Sequence, residues 1–193
     1  MPSRLSQIEP KFYPVTPSRW KDFELLFGKN GACGGCWCMY WLLKQSEYDK
    51  QKGSGNKRAM KKLIKTNRPP GIIGYLKKEP VAWCCVGPRD SFPKLERSRT
   101  LKPIDDQPVW SILCLFVAKT FRNAGLSSQV VEAAADYAFS KGAKIVEGYP
   151  YVTGNKRWAD PFVFTGLASS FEKAGFKVVA KPSKSRRIVR LFR

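Results

Sequence analysis

The sequence predicts a single α/β domain: a mixed central sheet with helices on both faces. Three stretches predict it. Residues 71–86 read as a β-hairpin. Residues 109–149 read as strand, helix, strand, which calls for a parallel pair joined by a right-handed crossover. Residues 176–192 read as a second hairpin closing the chain. The 193 residues, 43% of them apolar, suffice for one full core.

Each element has a local reason. Pro17-Ser18 followed by Arg19–Phe27 and Gly28 reads as a short helix that Ser18 caps and Gly28 ends. Next, Gly31, Gly34 and Gly35 alternate with Cys33, Cys36 and Cys38 in a loop that runs into Trp37, Met39, Tyr40 and Trp41. Residues 44–55 are polar and read as an exposed loop or frayed helix. From Asn56 to Thr66, Ala59, Met60, Leu63 and Ile64 fall on one face of a basic amphipathic helix, which Pro69-Pro70 stops.

The pattern then shifts to strands. Gly71–Leu76 and Val81–Val86 flank a turn at Lys77–Pro80. Residues 87–107 carry Pro88, Pro93 and Pro103 and read as a long loop, with room for a short helix. Val109–Val117 is nearly all apolar, the mark of a central strand buried on both faces. After a turn at 118–124, Leu126, Val130, Ala134 and Tyr137 recur at helical spacing until about Ser140–Lys141, and Gly142 ends the helix. Lys144–Tyr149 is a strand, 150–164 a loop and Gly166–Ala174 a short helix. Phe176–Ala180 and Arg187–Phe192 pair around Pro182–Ser185.

Composition excludes some chemistry. The chain has no histidine, so imidazole catalysis and histidine-ligated zinc are ruled out, and acid–base work falls to Glu, Asp, Tyr, Cys, Lys or water. The six cysteines read as reduced thiols of a cytoplasmic protein, since Met1–Leu5 lacks an apolar leader and no apolar run spans a bilayer. Adjacent Cys84 and Cys85 fit a buried strand. The net charge of +20, from 35 basic and 15 acidic residues, attracts polyanions, nucleic acid among them, or reflects a solvated surface.

The stretch with chemistry is Arg122-Asn123-Ala124-Gly125-Leu126-Ser127, between the buried strand and the helix. Gly125 lets the backbone approach a ligand closely. The first helical N–H groups lack intrahelical partners and, with the helix dipole, favour an anion such as phosphate. Arg122 adds a charged donor. Taken alone, these six residues are better accounted for by an ordinary strand-to-helix turn; the context raises the phosphate-site reading.

In its context, the stretch resembles the signature of the GNAT superfamily of acetyl-CoA-dependent N-acetyltransferases, Gln/Arg-x-x-Gly-x-Gly/Ala. Here it reads Arg122-x-x-Gly125-x-Ser127, departing only at the last position. Phe171-Glu172-Lys173-Ala174-Gly175-Phe176 is similar to the family's Tyr-Glu-Lys-x-Gly-Phe. The resemblance covers about residues 71–193 and implies a CoA-binding core there, with 1–70 supplying acceptor-side helices and loop. It implies acetyl-CoA in a cleft where two parallel strands splay apart. The main chain of Leu115, Phe116 and Val117 would hold the pantetheine arm, and the N–H groups of Arg122, Asn123, Ala124, Gly125, Leu126 and Ser127 the pyrophosphate.

Phe171 stands where many members have a tyrosine that protonates the departing thiolate. Tyr149, Tyr151 or Cys114 are the substitutes, unless the thiolate leaves with help from water and the positive field, or the chain binds acyl-CoA without catalysis. Glu147, opposite in facing to Val146, is the candidate base, against the alternative of a solvated or salt-bridged carboxylate. Cys36, Trp37, Tyr40 and Trp41 are candidates for the wall of the acceptor pocket; a Gly-Cys-Trp-Cys segment like Gly35–Cys38 resembles one in a GNAT subgroup of uncertain substrate. Core packing explains the same residues. The Cys-x-x-Cys-x-Cys spacing offers three thiolates but no fourth ligand, so no metal is assigned. Basic surroundings would lower a cysteine pKa here, without selecting Cys33, Cys36 or Cys38. The expected partner is a small-molecule or peptide amine; no membrane contact is expected, and monomer and homodimer both fit. The other function class is a basic nucleic-acid-binding protein with stacking Trp and Tyr.

Overall fold

The computed structural model describes residues 9–66, 68–154 and 163–193. Among the described residues, seven strands form one sheet: β1 (Lys11–Pro14), β2 (Gly71–Leu76), β3 (Glu79–Pro88), β4 (Trp110–Val117), β5 (Ile145–Gly148), β6 (Lys177–Ser183) and β7 (Arg186–Phe192), in the order β1-β2-β3-β4-β5-β7-β6. β4 and β5 are parallel; the other neighbours are antiparallel. The helices are α1 (Trp20–Phe27), α2 (Gln45–Lys50), α3 (Ser54–Ile64), α4 (Pro93–Glu96), α5 (Leu126–Ser140) and α6 (Ala168–Lys173).

Two apolar clusters cover the two faces of the sheet. Trp20, Phe23 and Phe27 of α1 and Met60 and Ile64 of α3 join Trp83, Cys85 and Tyr149 on one face. Val130, Val131 and Ala134 of α5 and Phe171 of α6 join Ala82, Cys84 and Val146 on the other. Alternation along β3 thus sends Cys84 and Cys85 to opposite faces, where they cannot meet. This is the single mixed domain that the strand and helix pattern predicts. No helix among the described residues is long and apolar enough to cross a membrane.

Several local expectations change. Ser18 does not cap α1: it lies in a 3₁₀ turn, Pro17–Arg19, and its hydroxyl meets Thr16 Oγ1 at 2.9 Å. Gly28 does end α1 at positive φ. The first hairpin closes over Lys77-Lys78 alone, so Glu79 and Pro80 belong to β3. Of the loop or frayed helix at 44–55, the helical alternative holds, as α2 and the start of α3, and the short helix allowed for within 87–107 is α4. β1 pairs with β2 and is not predicted by the sequence pattern. The loop expected at 150–164 falls partly outside the described residues.

Candidate active site

The site begins at a bulge. β3 and β4 pair Cys85 with Cys114 and Val86 with Ile112, so Leu113 faces no partner of its own. A bulge bends its strand and locally increases the twist. β5 pairs with β4 only from Trp110 to Ile112, ending at Gly148, although β4 continues to Val117. The edge of β4 from Leu113 onward therefore parts from β5, opening a cleft.

In this structure, the cleft contains main chain from the loop before α6. The Leu115 N–H donates to Phe164 O at 2.8 Å. Val117 O accepts from Arg122 Nε at 2.9 Å. Two of the groups expected to hold the pantetheine arm are thus engaged within the protein.

Beyond the strand, Asn123 and Gly125 both have positive φ, 63° and 75°. α5 starts at Gly125 with no side-chain cap, and a Cβ placed on Gly125 would meet nothing within 4 Å. Residues 123–125 are exposed. The first N–H groups of α5 lie at the positive end of a 15-residue helix, next to the exposed residues 123–125.

Behind the cleft lies a buried ionic knot. Glu147 is fully buried. Its Oε2 pairs with Arg190 Nε at 2.7 Å and its Oε1 with Arg89 Nη1 at 3.3 Å, while Tyr149 donates its hydroxyl to Oε1 at 2.7 Å. That hydroxyl also accepts from Arg89 Nη1 at 2.8 Å and meets Ser111 Oγ at 2.9 Å. Arg190 continues to Asp105 at 2.6 Å, and Arg89 to Leu101 O at 2.7 Å and Glu96 at 2.8 Å. Burial and the Glu147 charge push the Tyr149 hydroxyl far above the usual phenol range. Glu147 does face away from Val146 as expected, but both its oxygens are taken. It is the salt-bridged alternative rather than a free carboxylate, and Tyr149 is locked in the same knot.

The neighbouring Cys38 thiol and burial hold the Cys114 thiol well above its ordinary value. Burial also raises Cys36 and Cys38. The lowering expected from basic surroundings is reversed because these thiols are desolvated. Phe171 is fully buried, and its ring fills the space where a Cβ on Gly148 would stand.

The aromatic loop divides. Trp37, with φ 44°, turns inward and stacks on Phe27 at 5.9 Å and Trp20 at 6.3 Å, so it is core rather than pocket wall. Cys36 is half-buried, with its thiol directed to Gly31 O at 3.4 Å. Tyr40 and Trp41 do line a cavity of about 510 Å³, facing Lys94, Arg97 and Leu101 from the segment after β3 and Arg186 from the start of β7. Both rings also contact Phe164, with centroids 5.4 and 6.2 Å away. Phe164 thus joins the cavity wall to the cleft at Leu115.

The sequence reading missed Arg89, Lys94, Arg97, Arg186 and Arg190. Arg190 alone gave a signal, a charge inside the apolar run Ile188–Phe192. The cavity residues come from three separated segments in a chain rich in basic residues, where no one cation stands out. Among the described residues, no three or more of Cys, Asp or Glu are grouped so as to hold a metal ion.

The parallel middle strands of the mixed sheet thus part at a bulge, and a helix N-terminus without a side-chain cap follows. The model of the acetyltransferase (GNAT) family matches residues 37–157, and the chain belongs to that family of enzymes. Its structure is similar to that of a GNAT-family acetyltransferase from Listeria monocytogenes, with TM-score 0.56 and 9% identity, covering 96% of each chain. It is also similar to a polyamine N-acetyltransferase from Drosophila melanogaster that forms N-acetylagmatine, with TM-score 0.55 and 11% identity, covering 96% of this chain and 100% of that one. A putative GNAT acetyltransferase from Desulfovibrio desulfuricans gives TM-score 0.52 and 13% identity, over 95% of this chain and 99% of that one. At these identities the likeness is one of fold. No curated protein matches the sequence.

Proposed function

We propose that the protein transfers an acetyl group from acetyl-CoA to the amine of a small acceptor. The observation that carries this is the parting of β4 from β5 at Leu113, followed by the uncapped start of α5. The pyrophosphate would lie on the N–H groups of residues 123–127, where Asn123 and Gly125 have positive φ and residues 123–125 are exposed. The pantetheine arm would take the Leu115 N–H in place of Phe164 O. The acetyl group would then reach the end of the β4–β5 pairing beside Gly148, with the 510 Å³ cavity on the opposite sheet face from α5 receiving the acceptor.

Positioning the amine against the thioester supplies most of the catalysis in direct transfer. Glu147 acts as a positioning residue: through Arg89 and Tyr149 it fixes the floor of the cavity. Tyr149 O in turn accepts from Arg186 Nη1 at 2.6 Å. Tyr151 lies outside the knot, half-buried, with its ring 3.6 Å from the Arg186 guanidinium carbon. It is the tyrosine assigned to protonate the CoA thiolate in place of Phe171.

Calorimetry with acetyl-CoA tests the donor site, with micromolar binding expected. Absence of binding at high micromolar concentration overturns the reading. Release of free CoA thiol with an amine panel then separates turnover from binding without catalysis.

A further inference from the structure

We propose that the acceptor is a small amine carrying a carboxylate or phosphate, held by the cations of the cavity at Tyr40, Trp41, Lys44, Lys94, Arg97 and Arg186. The inference rests on the acetyltransferase reading and specifies its substrate class.

Four basic side chains line this cavity and no acidic one does. No carboxylate among the described residues forms an ion pair with any of the four. The buried arginines of the ionic knot are treated differently. Arg89 pairs with Glu96 and Glu147, and Arg190 with Asp105 and Glu147. Among the described residues, carboxylates thus neutralise the buried cations Arg89 and Arg190, and the four cavity cations form no ion pair.

Two of the four are held in place. Arg186 is half-buried, donates to Tyr149 O and Thr165 Oγ1 at 2.6 Å each, and stacks on Tyr151. Lys94 sits 3.1 Å from the centre of the Tyr40 ring and donates to Gln45 Oε1. Burial lowers the pKa of both groups, which is the mark of charge kept out of water with too little compensation. The nearest acid acting on Lys94, Asp49, is tied to Gln45 Nε2 at 2.7 Å. An anionic group entering the cavity would supply the missing charge, and planar guanidinium groups suit both carboxylate and phosphate. The volume fits a small molecule rather than a protein surface. This site is separate from the phosphate-binding turn: the cavity residues belong to the α1–α3 face and α5 to the other.

The experiment is a steady-state screen at saturating acetyl-CoA, reading CoA thiol release. One arm holds amines with a carboxylate, such as amino acids. A second holds phosphorylated amines such as phosphoethanolamine. A third holds neutral and cationic amines, spermidine and agmatine included, and a fourth acidic peptides. We expect kcat/KM to favour the first or second arm over the third by at least about tenfold, with the preference weakening as salt rises. Arg97→Glu and Lys44→Glu, both at exposed positions, should cut that preference by at least about fivefold while leaving the KM for acetyl-CoA unchanged.

Preference for cationic or neutral amines, for peptides over all small molecules, or insensitivity of the ratio to both reversals overturns the proposal. If instead acetyl-CoA fails to bind by calorimetry, the underlying acetyltransferase reading is what falls.

Discussion

Replacing Gly125 by glutamate puts the donor site to its most direct test. Gly125 has φ 75°, and a Cβ there meets nothing within 4 Å, so the new side chain fits without a clash. The folded protein bears only the backbone strain, about 1–2 kcal/mol for a non-glycine residue in the left-handed region. The carboxylate would stand over the first N–H groups of α5, where the pyrophosphate is placed. At about 5 Å and an effective dielectric of about 40, it opposes each phosphate charge by about 1.7 kcal/mol. Two such charges give about 3 kcal/mol, on the order of 100-fold in Kd.

Gly125→Gln has the same strain and bulk without the charge, so the ratio of the two variants isolates the electrostatic effect. Calorimetry with acetyl-CoA reads Kd, and thermal unfolding confirms that both variants share one Tm. The gap should narrow with added salt. If the glutamate variant binds acetyl-CoA within about threefold of the glutamine variant, the pyrophosphate does not lie at this turn.

Glu147→Gln should leave buried Arg89 and Arg190 facing a neutral amide and lower stability by about 3–5 kcal/mol in denaturant unfolding. A fall in kcat with unchanged stability and a lost limb of the pH profile would make Glu147 a base after all. Arg190 holds the Asp105 carboxyl below its ordinary range, so the pair stabilises the fold near neutral pH and stops doing so as pH falls through that lowered pKa. Asp105→Asn should therefore be less stable than the parent at pH 7, with the difference closing in acid below about pH 4; a constant difference across that range would remove the pair from the account. Tyr151→Phe should reduce kcat by at least about tenfold with little change in the KM for acetyl-CoA, and unchanged kcat would exclude Tyr151 as the acid.

The order of elements was legible where periodicity is strong. The repeat Leu126, Val130, Ala134 and Tyr137 gave α5, and Gly142 its end. β1 was not legible, because four residues ending in proline carry no pattern and exist as a strand only by pairing with β2. The bulge was hidden because Val109–Val117 is apolar on both faces, so no alternation betrays the extra residue. The site was legible only in part. The turn at 122–127 is local, but the knot joins Glu147 to Arg89 and Arg190, 58 and 43 positions away. Trp37 and Tyr40 are equally aromatic in sequence; the positive φ at Trp37 and Cys38, a property of the folded loop, sends one to the core and leaves the other at the cavity.

Leu113 has one further consequence. It and Cys114 share a sheet face, because the ladder skips one of them. Removing Leu113 would join Ile112 directly to Cys114 and restore strict alternation, with every later side chain of β4 keeping both its face and its β3 partner. The shortened strand would lose a buried leucine and its bend, so it could zip against β5 and close the gap between them. One residue therefore separates a continuous β4–β5 ladder from one that parts at Leu113.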